Sequence, residues 1–294
     1  MPPEYQTRAL VLRTFDQGES DRLVHLYTEA LGRITAIAKG ARRSKRRFPG
    51  TLEVFCVLDV RVVDPPRSSL MRIEGARLVQ SFGRLVDELG RYAIACQFVE
   101  LLDRLTAENE PAPDLLRFAI GVLDVVSEEA PDRLLAVLVL AKTLARLGYQ
   151  PQLGACALCG RELPARTGFD PRQGGAVCQA CQPLDEFAVP SRLLAALERG
   201  IRTPLRERGA LGLTEADARR AATLMQRFFH FHIGFELRTS RFLAQALEGE
   251  AAVDGRASPG DTARARAEIA PAHRGASHPA LETEPGRREP QRRP

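Results

Sequence analysis

The stretch TRALVLRTFDQGESDRLVHLYTEALGRITAIA, residues 7–38, sets the architecture of the first part of the chain. Thr7–Phe15 alternates Leu10 and Leu12 with small or charged residues, Arg22–Thr28 carries Val24 and Leu26 on one side, and Gly32–Ala38 carries Ile34 and Ile37. Such short-period patterning marks strands with a buried face. The breaks fall at Gln17-Gly18 and Leu31-Gly32, where tight turns are favoured. Leu52–Val63 is a longer β-rich run after Pro49-Gly50, and Ser69–Gln80 closes the set after Pro65-Pro66. Five short strands in this space predict a small closed barrel with its edges paired away, of the OB type.

From Leu85 the period changes. Ile94, Phe98, Leu101, Leu102 and Leu105 recur at helical spacing, and a second helix is predicted over Leu115–Val126. A third is predicted from near Pro131, a favoured first-turn residue, to near Gly148, a favoured stop. Its LLAVLVLA core is apolar on every side, which predicts a central buried helix. Gln150–Phe187 shows neither period. Helices are expected again at Ser191–Arg199 and after Thr214, where Thr214 and Asp217 have capping-box spacing. The fold class is therefore α+β: a barrel domain over 1–80, then a helical domain over 81–249 with an insertion at 150–187. After about Glu250 aromatics cease and Pro, Gly, Ala and mixed charges dominate, so 250–294 is expected to be a disordered tail.

In the 294 residues, 44% hydrophobic content allows a sizeable core, and the net charge of +5 matters only where it is concentrated. The N-terminus lacks the pattern of a secretory signal, and the longest apolar run, Leu134–Ala141, falls far short of the ~20 residues that span a bilayer. A cytoplasmic, reducing setting is expected, so the six cysteines need an account without disulfides. Cys156-Ala-Leu-Cys159 and Cys178-Gln-Ala-Cys181 supply one. Two C-x-x-C pairs, each able to aim two thiolates at one point, complete a tetrahedron around a single structural zinc ion. Four thiolates leave no open coordination position for water, so the ion is expected to staple and not to catalyse. Gly160 follows the first knuckle, where a tight turn helps. Cys56 and Cys96 have apolar neighbours and read as small buried hydrophobes.

Lys39, Arg42, Arg43, Lys45, Arg46 and Arg47 put six cations into nine residues, followed by Phe48, between two predicted strands. Crowded like charge in an exposed loop suits a polyanion, and these six are the candidate DNA-binding residues. Engaging six phosphates of a single strand would give a log K against log salt slope of about −4. Phe15, Tyr27, Phe48 and Phe55 are candidate stacking faces, although barrel core is the simpler fate of each. Nucleotide-binding glycine loops, H-E-x-x-H and G-x-S-x-G are absent from the sequence. His230 and His232, two apart on a helix, point to different sides. Asp16, Glu19 and Asp21 read as a polar turn rather than a Mg²⁺ site. His25 is expected at the surface without a partner.

The order of these features resembles the RecO family of bacterial recombination mediators. Ala9–Arg13 with Gly18–Asp21, Gly32–Arg47 continuing into Leu52–Phe55, the double C-x-x-C after Leu147-Gly148-Tyr149, and Leu237–Arg241 carry the resemblance, which spans residues 4–247. The resemblance implies a non-enzymatic protein that binds single- and double-stranded DNA without sequence preference and anneals complementary strands. It also implies partnership with RecR and single-strand-binding protein, and assistance in loading RecA. Two other classes remain open on the residues alone. One is a zinc-containing transcription or adaptor factor. The other is a nuclease using Asp16, Glu19 and Asp21.

Overall fold

The computed structural model describes residues 2–44, 47–48, 50–65, 70–182 and 188–252. Five strands, β1 (Glu4–Gln17), β2 (Asp21–Thr28), β3 (Gly32–Ala38), β4 (Val57–Val63) and β5 (Met71–Gln80), close into a barrel in the order β1-β2-β3-β5-β4. All neighbours are antiparallel except β3 and β5, which meet in parallel at Ala36–Ile37 and Met71–Arg72. The α+β class and the N-terminal barrel are as the periodicity predicts.

The barrel interior is small because small residues fill it: Ala9, Val11, Ala36 and Ala38 lie with Val24, Leu26, Ile34, Leu58, Val60, Val62 and Ile73 in one cluster. Leu10 and Leu12, the larger residues of β1, are also buried but lie outside that cluster. The helices pack on β1 and β2, and this second contact takes the opposite face of the strand. The run from Leu52 is not all strand. Residues 51–56 turn back, with Phe55 at φ 72°, and the strand begins only at Val57. Phe48, Leu52 and Cys56 join the barrel core, so the β-rich composition there serves as a plug.

The helical part comprises α1 (Leu89–Leu105), α2 (Pro113–Glu128), α3 (Arg133–Arg146), α4 (Ser191–Arg202), α5 (Glu215–Ile233) and α6 (Ser240–Ala252). Every residue from Leu135 to Ala141 is buried, and α3 packs on α1, α2, α4 and α5. It starts near Pro131, as expected, although the proline is not in its first turn. Asp132, not Pro131, ends the approach, and its carboxylate accepts the Leu135 N–H at 2.6 Å. A cap that satisfies a free helix N–H outweighs the preset φ of proline. The Thr214–Asp217 capping box forms as predicted. The insertion is not wholly irregular: β6 (Arg166–Asp170) pairs antiparallel with β7 (Gly175–Val177) and with β8 (Val189–Pro190). Of the expected tail, residues 250–252 end α6, and 253–294 lie outside the described residues. Among the described residues no helix is long and apolar enough to cross a membrane.

Barrel and helices are joined at specific points. His25 is not a free surface residue: its Nδ1 lies 2.7 Å from Asp103 Oδ1 on α1. Arg33 donates from Nε to the Thr106 carbonyl at 2.9 Å. Gly32, at φ +67°, lies so close to the α1–α2 connection that a Cβ there would sit 2.1 Å from the Glu110 carbonyl oxygen.

Candidate metal centre and nucleic-acid interface

The cysteine centre is assembled by backbone hydrogen bonds. In the first knuckle the Gly160 N–H donates to the Cys156 carbonyl at 2.8 Å, with Gly160 at φ +71°. In the second, the Cys181 and Gln182 N–H groups donate to the Cys178 carbonyl at 3.0 and 3.1 Å. The β6–β7 hairpin brings the knuckles together, and Ala157 N–H reaches the Ala176 carbonyl at 2.7 Å. The result places all four Sγ atoms within 4.8 Å of one another, with Cys156 and Cys178 buried and Cys159 and Cys181 exposed.

The donor set fits a tetrahedral ion. Metal–sulfur bonds of about 2.3 Å place tetrahedral ligands about 3.8 Å apart. Cys159 Sγ and Cys178 Sγ are 3.7 Å apart, far beyond a disulfide bond. Burial pushes the Cys156 thiol up, yet N–H groups of Cys178, Cys159 and Leu158 aim at its sulfur and bring it down to about 6. Cys181 is pushed up to about 12, first by its hydrogen bonds to Cys159 and Cys178. Four sulfurs this close hold one or two thiolates only if the others stay protonated. A divalent cation at the centre removes that conflict. Among the described residues this is the one group of three or more ligand-type side chains close enough to hold a metal. Phe169 of the hairpin meets Phe228 of α5 edge to face, ring centroids 6.3 Å apart, so whatever fixes the hairpin fixes it against α5.

The basic loop leaves β3 through Gly40, at φ +67°. Asp21 anchors it: its carboxylate accepts the Gly40 N–H and the Ser20 hydroxyl, each at 2.8 Å. These bonds, the Gly40 N–H first, hold Asp21 below the usual carboxylate range. Of the six candidate cations, Lys39, Arg42, Arg43 and Arg47 are described, while Lys45 and Arg46 lie outside the described residues. Two of the four meet carboxylates of the β1–β2 turn. Arg42 Nε is 3.5 Å from Asp16, and an Arg43 guanidinium nitrogen is 3.1 Å from Glu19. Arg47 donates to the Lys39 carbonyl and lies over the Phe48 ring, its guanidinium carbon 5.3 Å from the centroid. Lys39 and Arg47 form no ion pair among the described residues. Asp16 and Glu19 are thus partners of arginines, not the start of a Mg²⁺ cluster. Tyr27, Phe48 and Phe55 are buried, and only Phe15 keeps partial exposure, with Arg13 stacked 4.4 Å from its centroid.

Comparison with known proteins follows this geometry. A family model described as Recombination protein O N terminal matches residues 1–82, and one described as Recombination protein O C terminal matches residues 86–241. The chain belongs to the RecO family. The DNA repair protein RecO of Myxococcus xanthus (strain DK1622) is 40% identical over 248 residues, covering 82% of this chain and 97% of the relative. The RecO proteins of Anaeromyxobacter sp. (strain K) and of Pelobacter propionicus (strain DSM 2379 / NBRC 103807 / OttBd1) are 35% and 31% identical. They cover 80% and 83% of this chain. The N-terminal RecO match coincides with the barrel. The C-terminal match contains both knuckles and ends at Arg241, in the first turn of α6.

Three features escaped the sequence reading: the His25–Asp103 tie, the short β6–β7 hairpin, and a cleft on the helical part whose floor includes Gln97. The first joins residues 78 apart in sequence. The second has strands too short to show a period, though its Pro171–Gly174 turn carries a signal.

Proposed function

We propose that the chain is a DNA repair and recombination mediator. It binds single- and double-stranded DNA without sequence preference, anneals complementary strands and helps RecR load RecA beside single-strand-binding protein. The observation that carries this reading is the run of six cations, Lys39 to Arg47, leaving a strand of an OB-type barrel in a RecO-family chain. Phosphate contacts from such a loop give affinity without reading bases. The four cysteines hold one structural zinc ion whose work is to keep the hairpin shaped. No step of this activity needs a nucleophile or a nucleotide site, and the protein is proposed to act in the cytoplasm, at the nucleoid. A sequence-reading zinc factor is less well supported. The knuckle loop folds as a short hairpin, with Arg161, Arg166 and Arg172 as its only cations between Cys159 and Cys178.

The test is annealing of complementary oligonucleotides by the purified chain without ATP, together with zinc per chain. Annealing with one zinc is expected, and Arg42→Ala/Arg43→Ala/Arg47→Ala is expected to weaken binding to all sequences alike. Absence of annealing, or a triple variant that binds as the native chain does at ~0.1 M salt, overturns the assignment.

A further inference from the structure

The helical part carries a cleft of about 640 Å³, within the range of roughly 300–1,000 Å³ of small-molecule sites. One wall is the end of α5 and the turn after it, with Phe229, Phe231 and Phe235. The other is the tip of the cysteine hairpin, with Arg172. Phe231 is 52% exposed, more than any other large hydrophobic described. Arg172, Arg227 and Arg241 line the cleft, and Arg241 makes no ion pair among the described residues. Two carboxylates line it as well: Asp170, which accepts the Arg172 N–H at 2.9 Å and lies 3.4 Å from the Nε of the same residue, so that these two charges are matched, and Glu236. On the floor lies Gln97 of α1, only 8% exposed, whose amide has no hydrogen-bond partner among the described residues. Its amide atoms reach solvent in the cleft, so donor and acceptor are both open to a ligand that pairs with them.

We propose that this cleft seats one unstacked base of single-stranded DNA, with flanking phosphates on its guanidiniums. The inference rests on the proposed DNA-handling role and adds a site built wholly from the helical part and the cysteine hairpin. A carboxamide presents a donor and an acceptor side by side, the pattern that base edges complement. Phenylalanine faces stack on any base, and arginines beside them take phosphates. An acidic peptide shares the charge complementarity, but a flat ring satisfies the aromatic wall and the amide together. A second single-strand site also supplies what annealing needs, since a protein that pairs two strands gains from holding both. The hairpin forms one wall, so the cysteine centre shapes this site without touching DNA.

The chain has no tryptophan, so Phe231→Trp places a single indole at the mouth of the cleft. Titration with a mixed-sequence single-stranded oligonucleotide should quench its emission by half or more, while the matching duplex, bound to the same anisotropy, leaves it nearly unchanged. In the otherwise native chain, Phe231→Ala and Gln97→Ala should each weaken single-strand binding about fivefold or more with duplex affinity unchanged. Phe231→Ala, at an exposed position, keeps the test valid if Gln97→Ala misfolds. The loop variant Arg42→Ala/Arg43→Ala/Arg47→Ala combined with Phe231→Trp should bind more weakly yet quench fully at saturation. Single strands that bind by anisotropy with unaltered indole emission overturn the cleft and leave the proposed function standing. An acidic nonapeptide that shifts the emission where single strands do not overturns it in favour of a protein partner. Absence of any DNA binding overturns both readings.

Discussion

Removing the carboxylates of the β1–β2 turn should strengthen DNA binding and steepen its salt dependence. Six loop cations would give a slope of about −4 on single strands, each phosphate contact contributing roughly −0.7. Arg42 and Arg43 are matched by Asp16 and Glu19 at 3.5 and 3.1 Å. A cation neutralised from within the protein releases no net counterion when it exchanges a carboxylate for a phosphate. With these two masked, and the other four loop cations all taken to meet phosphates, the native slope is expected near −3. Asp16→Asn/Glu19→Gln frees the masked two and should move the slope to about −4. Two further counterions at ~0.1 M salt correspond to at most roughly 25-fold in affinity. The Arg43 and Glu19 side chains are 70% and 91% exposed, so the pairs themselves are weak and a gain of several-fold is the expected floor. The assay is anisotropy of a labelled oligo-dT between about 0.05 and 0.3 M NaCl, well within the range where screening changes. Asp21 is left in place because it holds Gly40. A native slope already at −4 that the double variant does not change would refute the masking argument. So would a variant that binds more weakly.

Three further outcomes follow from packing and charge. Stripping the proposed zinc ion with a strong chelator should lower Tm by on the order of 10 °C. It should also speed tryptic cleavage after the exposed Arg161, Arg166 and Arg172 by loosening the hairpin, while barrel amides stay protected from exchange, and an unchanged digest would remove the staple role. Gly32→Ala combines an unfavourable φ with a Cβ 2.1 Å from the Glu110 oxygen, and should cost roughly 3 kcal/mol in urea unfolding. A change under ~1 kcal/mol would mean that the connection yields freely. Asp217 is buried, bonded to Arg192 at 3.0 and 3.1 Å and to Thr214, and is held at about 2, Arg192 being the first cause. Its folded pKa lies below the unfolded one, so its contribution is complete above about pH 4 and fades as pH falls toward 2. Asp217→Ala should cost roughly 2–3 kcal/mol at neutral pH, and the gap to the native chain should narrow over that window.

Much of the fold was legible because local rules and tertiary structure agree. The strands of residues 7–38 declare themselves by alternation, and the all-apolar stretch of α3 by its length. Where two demands met at one segment, the reading blurred. β1 is buried on both faces, so its alternation of large and small residues reflects two packing partners and does not say which face fills the barrel. Residues 52–56 are as β-prone as Val57–Val63, but Leu52 and Cys56 among them plug the barrel, a role set by the closed topology. The C-x-x-C pairs were legible because ligand chemistry fixes their spacing. His25 and Gln97 were not, because a partner 78 residues away, or the lack of any partner, leaves no trace in local pattern.

The acidic turn beside the basic loop needs a physical reason, since charge of the wrong sign next to the proposed DNA contact would lower affinity. Asp21 supplies part of it: its carboxylate accepts the Gly40 N–H and, with the Arg42 N–H donating to the Ser20 carbonyl at 3.0 Å, ties the first turn of the loop to the barrel. Asp16 and Glu19 supply the rest. They hold Arg42 and Arg43 at the barrel surface, reducing the entropy lost when those side chains meet phosphates. Both ends of each exchange remain in water, so replacing a carboxylate by a phosphate is nearly isoenergetic in desolvation. The result is an interface that is ordered before contact and gives up its ligand readily. In the proposed annealing role the duplex has to be released after the strands are joined, and the paired charges suit that release in the geometry of two adjacent turns.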